Sequence, residues 1–135
     1  MEELNIGHDE LTVKIEDLSA AAPDAVAKKI AEILDVKKAR DIKVLFVEKQ
    51  TVIADYFVLC TATSSTQVRS LADEVDYRMT LCGKPPAHTD GIGGDKWTVL
   101  DFSSVIVHIF VREAREFYNL DRLWEETHPV ETEEI

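Results

Sequence analysis

Four histidines, two cysteines and twenty-six acidic side chains in 135 residues supply raw material for several chemistries, each of which makes its own demand on spacing. His88 and Asp90 are the one pair worth reading as an acid–base dyad, but no nucleophile is placed beside them by sequence. His108 lies inside the apolar run VIVHIFV without a second ligand at zinc spacing, and reads as a packed, hydrogen-bonded strand histidine. Cys60 and Cys82 suggest neither a disulfide framework nor a zinc site; they read as reduced thiols packed as small hydrophobes. Asp73 and Asp76 share one side of a helix that also carries Glu74, yet two oxygens are too few for a hard cation, and solvated helix charge accounts for them. Ser64 and Ser65 lack the Gly-x-Ser-x-Gly elbow of a hydrolase, and the glycines of DGIGGD lack the Gly-Lys-Ser/Thr ending of a phosphate loop. No catalytic residue, no metal ligand and no cofactor is expected.

What survives is a binding surface. In a strand over Trp97 to Phe102, side chains alternate, so Trp97, Val99 and Asp101 share one face. A buried Asp101 without a partner is expensive, which suggests that this face meets solvent or another molecule at its edge. Trp97 then serves as an aromatic anchor and Asp101 as an acceptor for a partner's Lys or Arg, with Asp90, Gly91 and Tyr118 as neighbours. The other reading has Trp97 in the core and Asp101 capping a turn at Ser103 and Ser104, since Asp commonly bonds turn backbone. Truncating Trp97 separates the two: an anchor leaves stability intact, a core residue does not.

The elements that must position these residues are legible from periodicity and caps. Pro23 opens a first helix carrying Val26, Ala27, Ile30, Ile33 and Leu34, ending near Val36 or Lys37. Val44 to Val47 and Tyr56 to Thr61 are apolar runs without alternation, as in strands buried on both faces or placed centrally. Ser64 and Gln67 have capping-box spacing, and Val68, Leu71, Ala72, Val75, Met79 and Cys82 form the stripe of a second helix that Gly83 ends. After the glycine-bearing loop at Asp90 to Asp95, Trp97–Phe102 and Val105–Val111 read as a hairpin, and Glu113–Tyr118 and Asp121–Trp124 as short closing helices. The order implies an α+β fold, a mixed sheet flanked by helices, with part of one sheet face left uncovered as a docking surface.

Residues 1–22 form an acidic lead-in with few apolar anchors, 23–124 the domain, and 125–135 an acidic tail. A formal net charge of -11 is the opposite of what counterion-release binding to nucleic acid requires, and favours a basic partner. The acidic start lacks the features of a signal peptide, and no run approaches the ~20 apolar residues of a membrane span. The expectation is a soluble, cytoplasmic protein.

Two segments carry more than fold-level information. ADYFVLCTATSSTQVRSLADEV, Ala54 to Val75, resembles the strand, Ser-rich turn and helix of the ribosomal silencing factor (Iojap) family. WTVLDFSSVIVHIFVREAREFYNLDRLW, Trp97 to Trp124, is similar to that family's terminal hairpin and closing helix. The resemblance implies a fold similar to the nucleotidyltransferase domain but used as a binding module. It further implies binding to the fourteenth protein of the large ribosomal subunit, obstruction of small-subunit joining, repression of translation, a part in large-subunit maturation, and a homodimer in the free state. The chain departs from the family pattern at Ser103 and Ser104, where a glycine-containing turn is usual. A nucleotidyltransferase-fold enzyme is the rival class, but it needs a Gly-Ser turn followed by paired acidic residues on a strand. Ala62 to Ser65 reads Ala-Thr-Ser-Ser with no such pair after it. A scaffold without a ribosomal role is the second rival, to be separated by ribosome co-sedimentation.

Overall fold

A computed structural model describes residues 13–92, 95–122 and 133–134. Helix α1, Pro23–Val36, starts on its proline and buries Val26, Ala27, Ile30, Ile33 and Leu34 along one stripe. Strands β1 (Arg40–Phe46) and β2 (Tyr56–Ala62) form an antiparallel pair. β1 begins four residues before the expected Val44, because in Arg40 to Lys43 the one apolar residue, Ile42, stands among three charged ones. Helix α2, Ser65–Leu81, is capped by Ser64, whose hydroxyl accepts from the Gln67 N–H at 3.1 Å. The return bond of the capping box goes one residue further out than expected, from Thr63 N–H to Gln67 Oε1 at 2.6 Å.

Strand β3, His88–Ile92, is a correction to the expected loop at Asp90 to Asp95. Its sequence, HTDGI, has one large apolar residue; its extended shape comes from pairing with β4 (Trp97–Asp101), from His88↔Asp101 to Ile92↔Trp97. Gly93 and Gly94 lie outside the described residues. β4 then pairs with β5 (Val105–Val111) as the expected hairpin, and α3 (Arg112–Tyr118) follows directly. Of the second closing helix, Leu123 and Trp124 lie outside the described residues; of the acidic tail, only β6 (Glu133–Glu134) is described, paired with Lys43 and Val44 of β1.

The sheet order is β3-β4-β5-β2-β1-β6, mixed because β2 and β5 run parallel while the other neighbours are antiparallel. α1 and α2 cover one face, where Val58, Cys60, Leu100, Val107 and Ile109 meet Ile30, Leu34, Leu71, Val75 and Met79. Phe57, Leu59, Trp97, Ile106 and Phe110 belong to a second cluster on the other face, with Ala114 of α3 buried in it and Leu120 packed against it. Central strands β2 and β5 are therefore buried on both sides, which explains their unalternating apolar sequence.

Residues 13–22 add to the first core: Val13 and Leu18 are buried in it. Buried Lys29 holds the segment down, donating from Nζ to the Lys14 carbonyl at 2.7 Å and lying 2.9 Å from Glu16 Oε2. Hydrogen bonding to Lys29 and its charge keep the Glu16 carboxyl below its ordinary range. Residues 1–12, the rest of the lead-in, lie outside the described residues. Among the described residues, no helix is long and apolar enough to cross a membrane.

The two helix ends give a test with opposite signs. After α1, the exposed Lys38 sits at φ 67, a left-handed conformation that glycine adopts without steric cost; after α2, Gly83 already occupies that position at φ 80. Lys38→Gly should stabilise the protein by roughly 0.5–1 kcal/mol, whereas Gly83→Ala should destabilise it by at least about 1 kcal/mol. Urea unfolding of both variants checks the pair; the same sign in both contradicts the end geometry.

Candidate functional site

The alternation of β4 places Trp97, Val99 and Asp101 on the second face, opposite Phe110, His108 and Ile106 of β5. On the outer side, β3 brings Ile92, Asp90 and His88 level with the same three residues. Because α3 leaves β5 without a linker, it lies over this face and sets Tyr118 against Trp97, with ring centroids 4.4 Å apart. Phe110 lies 5.1 Å from the indole on the sheet side. Trp97 is 9% exposed and its Nε1 donates to His108 Nδ1 at 3.2 Å, whereas Tyr118 is 43% and Phe117 79% exposed. The two α3 rings meet edge to face at 4.9 Å. Ile92, Lys96, Glu113, Ala114, Phe117 and Tyr118 line a cleft of about 310 Å³ beside them.

Trp97 and Asp90 share a face on which Asp101 stands at the far end of β4, and Tyr118 packs onto Trp97. Gly91 pairs with Thr98 and so belongs to the opposite side of the edge strand. Asp101 accepts the Ser103 N–H at 2.7 Å and caps the turn, with Ser103 held at φ 74, the conformation for which a glycine is suited. Trp97 belongs to the second core cluster, so its truncation removes packing as well as surface. The residues that extend outward are Tyr118 and Phe117.

Sequence reasoning missed Phe117 and Arg115. Arg115, buried on α3, donates through Nε and Nη2 to both oxygens of Asp121 at 3.0 and 2.8 Å. Its Nη1 reaches the Asp41 carbonyl at 2.6 Å and Thr61 Oγ1 at 2.9 Å. Burial alone would raise the Asp121 pKa, but the hydrogen bonds and charge of Arg115, with the charge of Lys43, hold it below the usual carboxylate range. No local signal separates Arg115 from Arg112; only the path of β1 and β2 does.

The remaining chemical candidates have structural partners or none. Glu74 accepts from Arg78 at 2.6 Å and Asp76 from Thr80 at 3.2 Å, both along α2. His88 and Asp90 are exposed on the edge strand. Burial pushes the Cys60 thiol up to about 12, against a smaller opposing pull from Arg115, which leaves it an inert core group. Among the described residues, no group of three His, Cys, Asp or Glu side chains could hold a metal ion.

Burial pushes the His108 pKa down from 6.5 to about 4, so the folded protein keeps it neutral while the unfolded chain takes up a proton. Its contribution to stability is complete above about pH 6.5 and lost as the pH falls toward 4. The loss is on the order of 3 kcal/mol. Urea midpoints between pH 7 and 4 should show this slope, and His108→Phe should flatten it; an unchanged slope in a folded variant contradicts a buried neutral imidazole.

A family model described as "Ribosomal silencing factor during starvation" matches residues 19–135. The chain is 39% identical over 103 residues to ribosomal silencing factor RsfS of Haemophilus influenzae, covering 74% of this chain and 98% of that protein. It is 33% identical over 100 residues to the RsfS of Bacillus subtilis, covering 74% and 85% respectively. A crystal structure of a protein from Chromobacterium violaceum matches with a TM-score of 0.72 at 26% identity, covering 76% of this chain and 86% of that one. With the family model matching residues 19–135 and relatives above 30% identity covered over most of their length, the chain belongs to the ribosomal silencing factor (RsfS/Iojap) family, a family of non-enzymatic ribosome-binding factors.

Proposed function

We propose that this chain docks on the large ribosomal subunit through the subunit's fourteenth protein, keeps the small subunit from joining and so represses translation. The observation that carries the reading is the Tyr118 ring packed against Trp97 at 4.4 Å, its plane tilted by 46°, beside the exposed Phe117 on the short helix over this face. Interfaces take most of their energy from such aromatic groups at the centre of a patch, with polar residues around them. Here Asp90, Asp101 and Glu113 supply the polar rim, and a net charge of -11 speeds encounter with a basic ribosomal protein. Trp97 acts as the floor of the site, Tyr118 and Phe117 as the groups that make contact.

The same exposed rings favour a homodimer in the free protein, covered by self-association until the ribosomal partner displaces the second copy. Assistance in large-subunit maturation fits the same docking, because a factor seated on the unjoined subunit is present while that subunit is completed.

In a purified joining assay, saturating protein should lower the yield of whole ribosomes. Tyr118→Ala with Phe117→Ser should weaken binding by about 2 kcal/mol, the scale of an interface hot spot, and leave the thermal midpoint nearly unchanged. An undiminished yield of whole ribosomes refutes the silencing role. Sedimentation equilibrium should find a dimer that Phe117→Asp converts to a monomer; a monomeric native chain at high concentration refutes self-association.

A further inference from the structure

His108 stands in the middle of β5, between Val99 of β4 and Leu59 of β2, and is 7% exposed. Phe57 meets it edge-on at 4.7 Å and Phe110 stacks 6.0 Å away. In these apolar surroundings it accepts one hydrogen bond, at Nδ1 from the Trp97 indole. A neutral imidazole accepting at Nδ1 carries its proton on Nε2, and that buried atom has no hydrogen-bond partner among the described residues. An orphaned buried donor is costly, and a phenylalanine at this position would fill the space without that cost. What the imidazole supplies and a phenyl ring cannot is the acceptor.

We infer that His108 is the positioning residue of the docking face: by engaging the only N–H of the indole, it fixes the plane of Trp97 on which Tyr118 rests. The partner consequently meets this part of the surface through aromatic rings and not through an indole hydrogen bond. Without the acceptor, the indole N–H is buried alone; the ring turns to satisfy it and takes Tyr118 along.

The inference rests on the docking reading, and the test separates the two. Purified large subunits are titrated with the native chain, Tyr118→Ala, His108→Phe and His108→Asn, the last keeping an acceptor near the place of Nδ1. Folding is checked by circular dichroism, and indole emission is recorded in a Trp124→Phe background so that Trp97 alone reports. His108→Phe should bind at least about tenfold more weakly and shift the emission, while His108→Asn should stay within about threefold of the native chain. Native-strength binding by folded His108→Phe, when Tyr118→Ala has lost affinity, overturns the positioning role and spares the docking reading. Equal losses in the two His108 variants with unchanged emission also overturn it, because only packing has then been disturbed. Native-strength binding by Tyr118→Ala overturns the docking reading and this role with it. If the phenylalanine variant does not fold, His108→Leu makes the same deletion in a smaller side chain.

Discussion

Isolated helices shorter than about 12–15 residues are marginal in water, so the seven residues of α3 need something beyond their own hydrogen bonds to stay in place. Arg115 supplies it, joining the helix to the Asp41 carbonyl, the Thr61 hydroxyl and the Asp121 carboxylate at once. These partners belong to β1, β2 and the segment after the helix, so one side chain fixes α3 against the sheet from both ends. The position of Tyr118 over Trp97 and the outward display of Phe117 both follow from that attachment. A buried guanidinium is tolerable because its donors have good acceptors; the same group without Asp121 would be a buried charge alone.

The two faces of the sheet solve the burial problem differently. The first uses two long helices, with α2 held by the Ser64 cap and ended at Gly83. The second has too little helix to cover it and closes itself with large rings leaning on one another: Phe57 on His108, His108 on Trp97, Trp97 on Tyr118. Such a surface keeps water out of the sheet and still offers aromatic area to a partner. It is an aromatic surface on a chain that belongs to a non-enzymatic family.

Sequence reasoning recovered what local physics determines. The α2 stripe from Val68 to Cys82 is buried as its spacing requires, and the unalternating runs of β2 and β5 lie at the centre of the sheet. Alternation in β4 correctly put Trp97, Val99 and Asp101 on one face. It could not decide between an anchor and a core tryptophan, because that depends on whether α3 folds back over the strand, which is a long-range matter. β3 escaped because an edge strand with four exposed residues carries no apolar pattern of its own. Lys29 and Arg115 escaped for a related reason: a charged side chain shows its burial only once its partners, Lys14 and Glu16 for one and Asp41, Thr61 and Asp121 for the other, arrive from elsewhere in the chain.

Cross-linking from defined positions decides whether the face under α3 meets the large subunit. A photoreactive benzoylphenylalanine would be placed at Phe117, which projects from that face, or at Tyr77, which is 53% exposed on α2, the helix that covers the opposite face. Position 117 should cross-link to the fourteenth protein of the large subunit, and position 77 should give no cross-link to it. Capture of that protein from position 77 and not from 117 would move the docking surface to the α2 side.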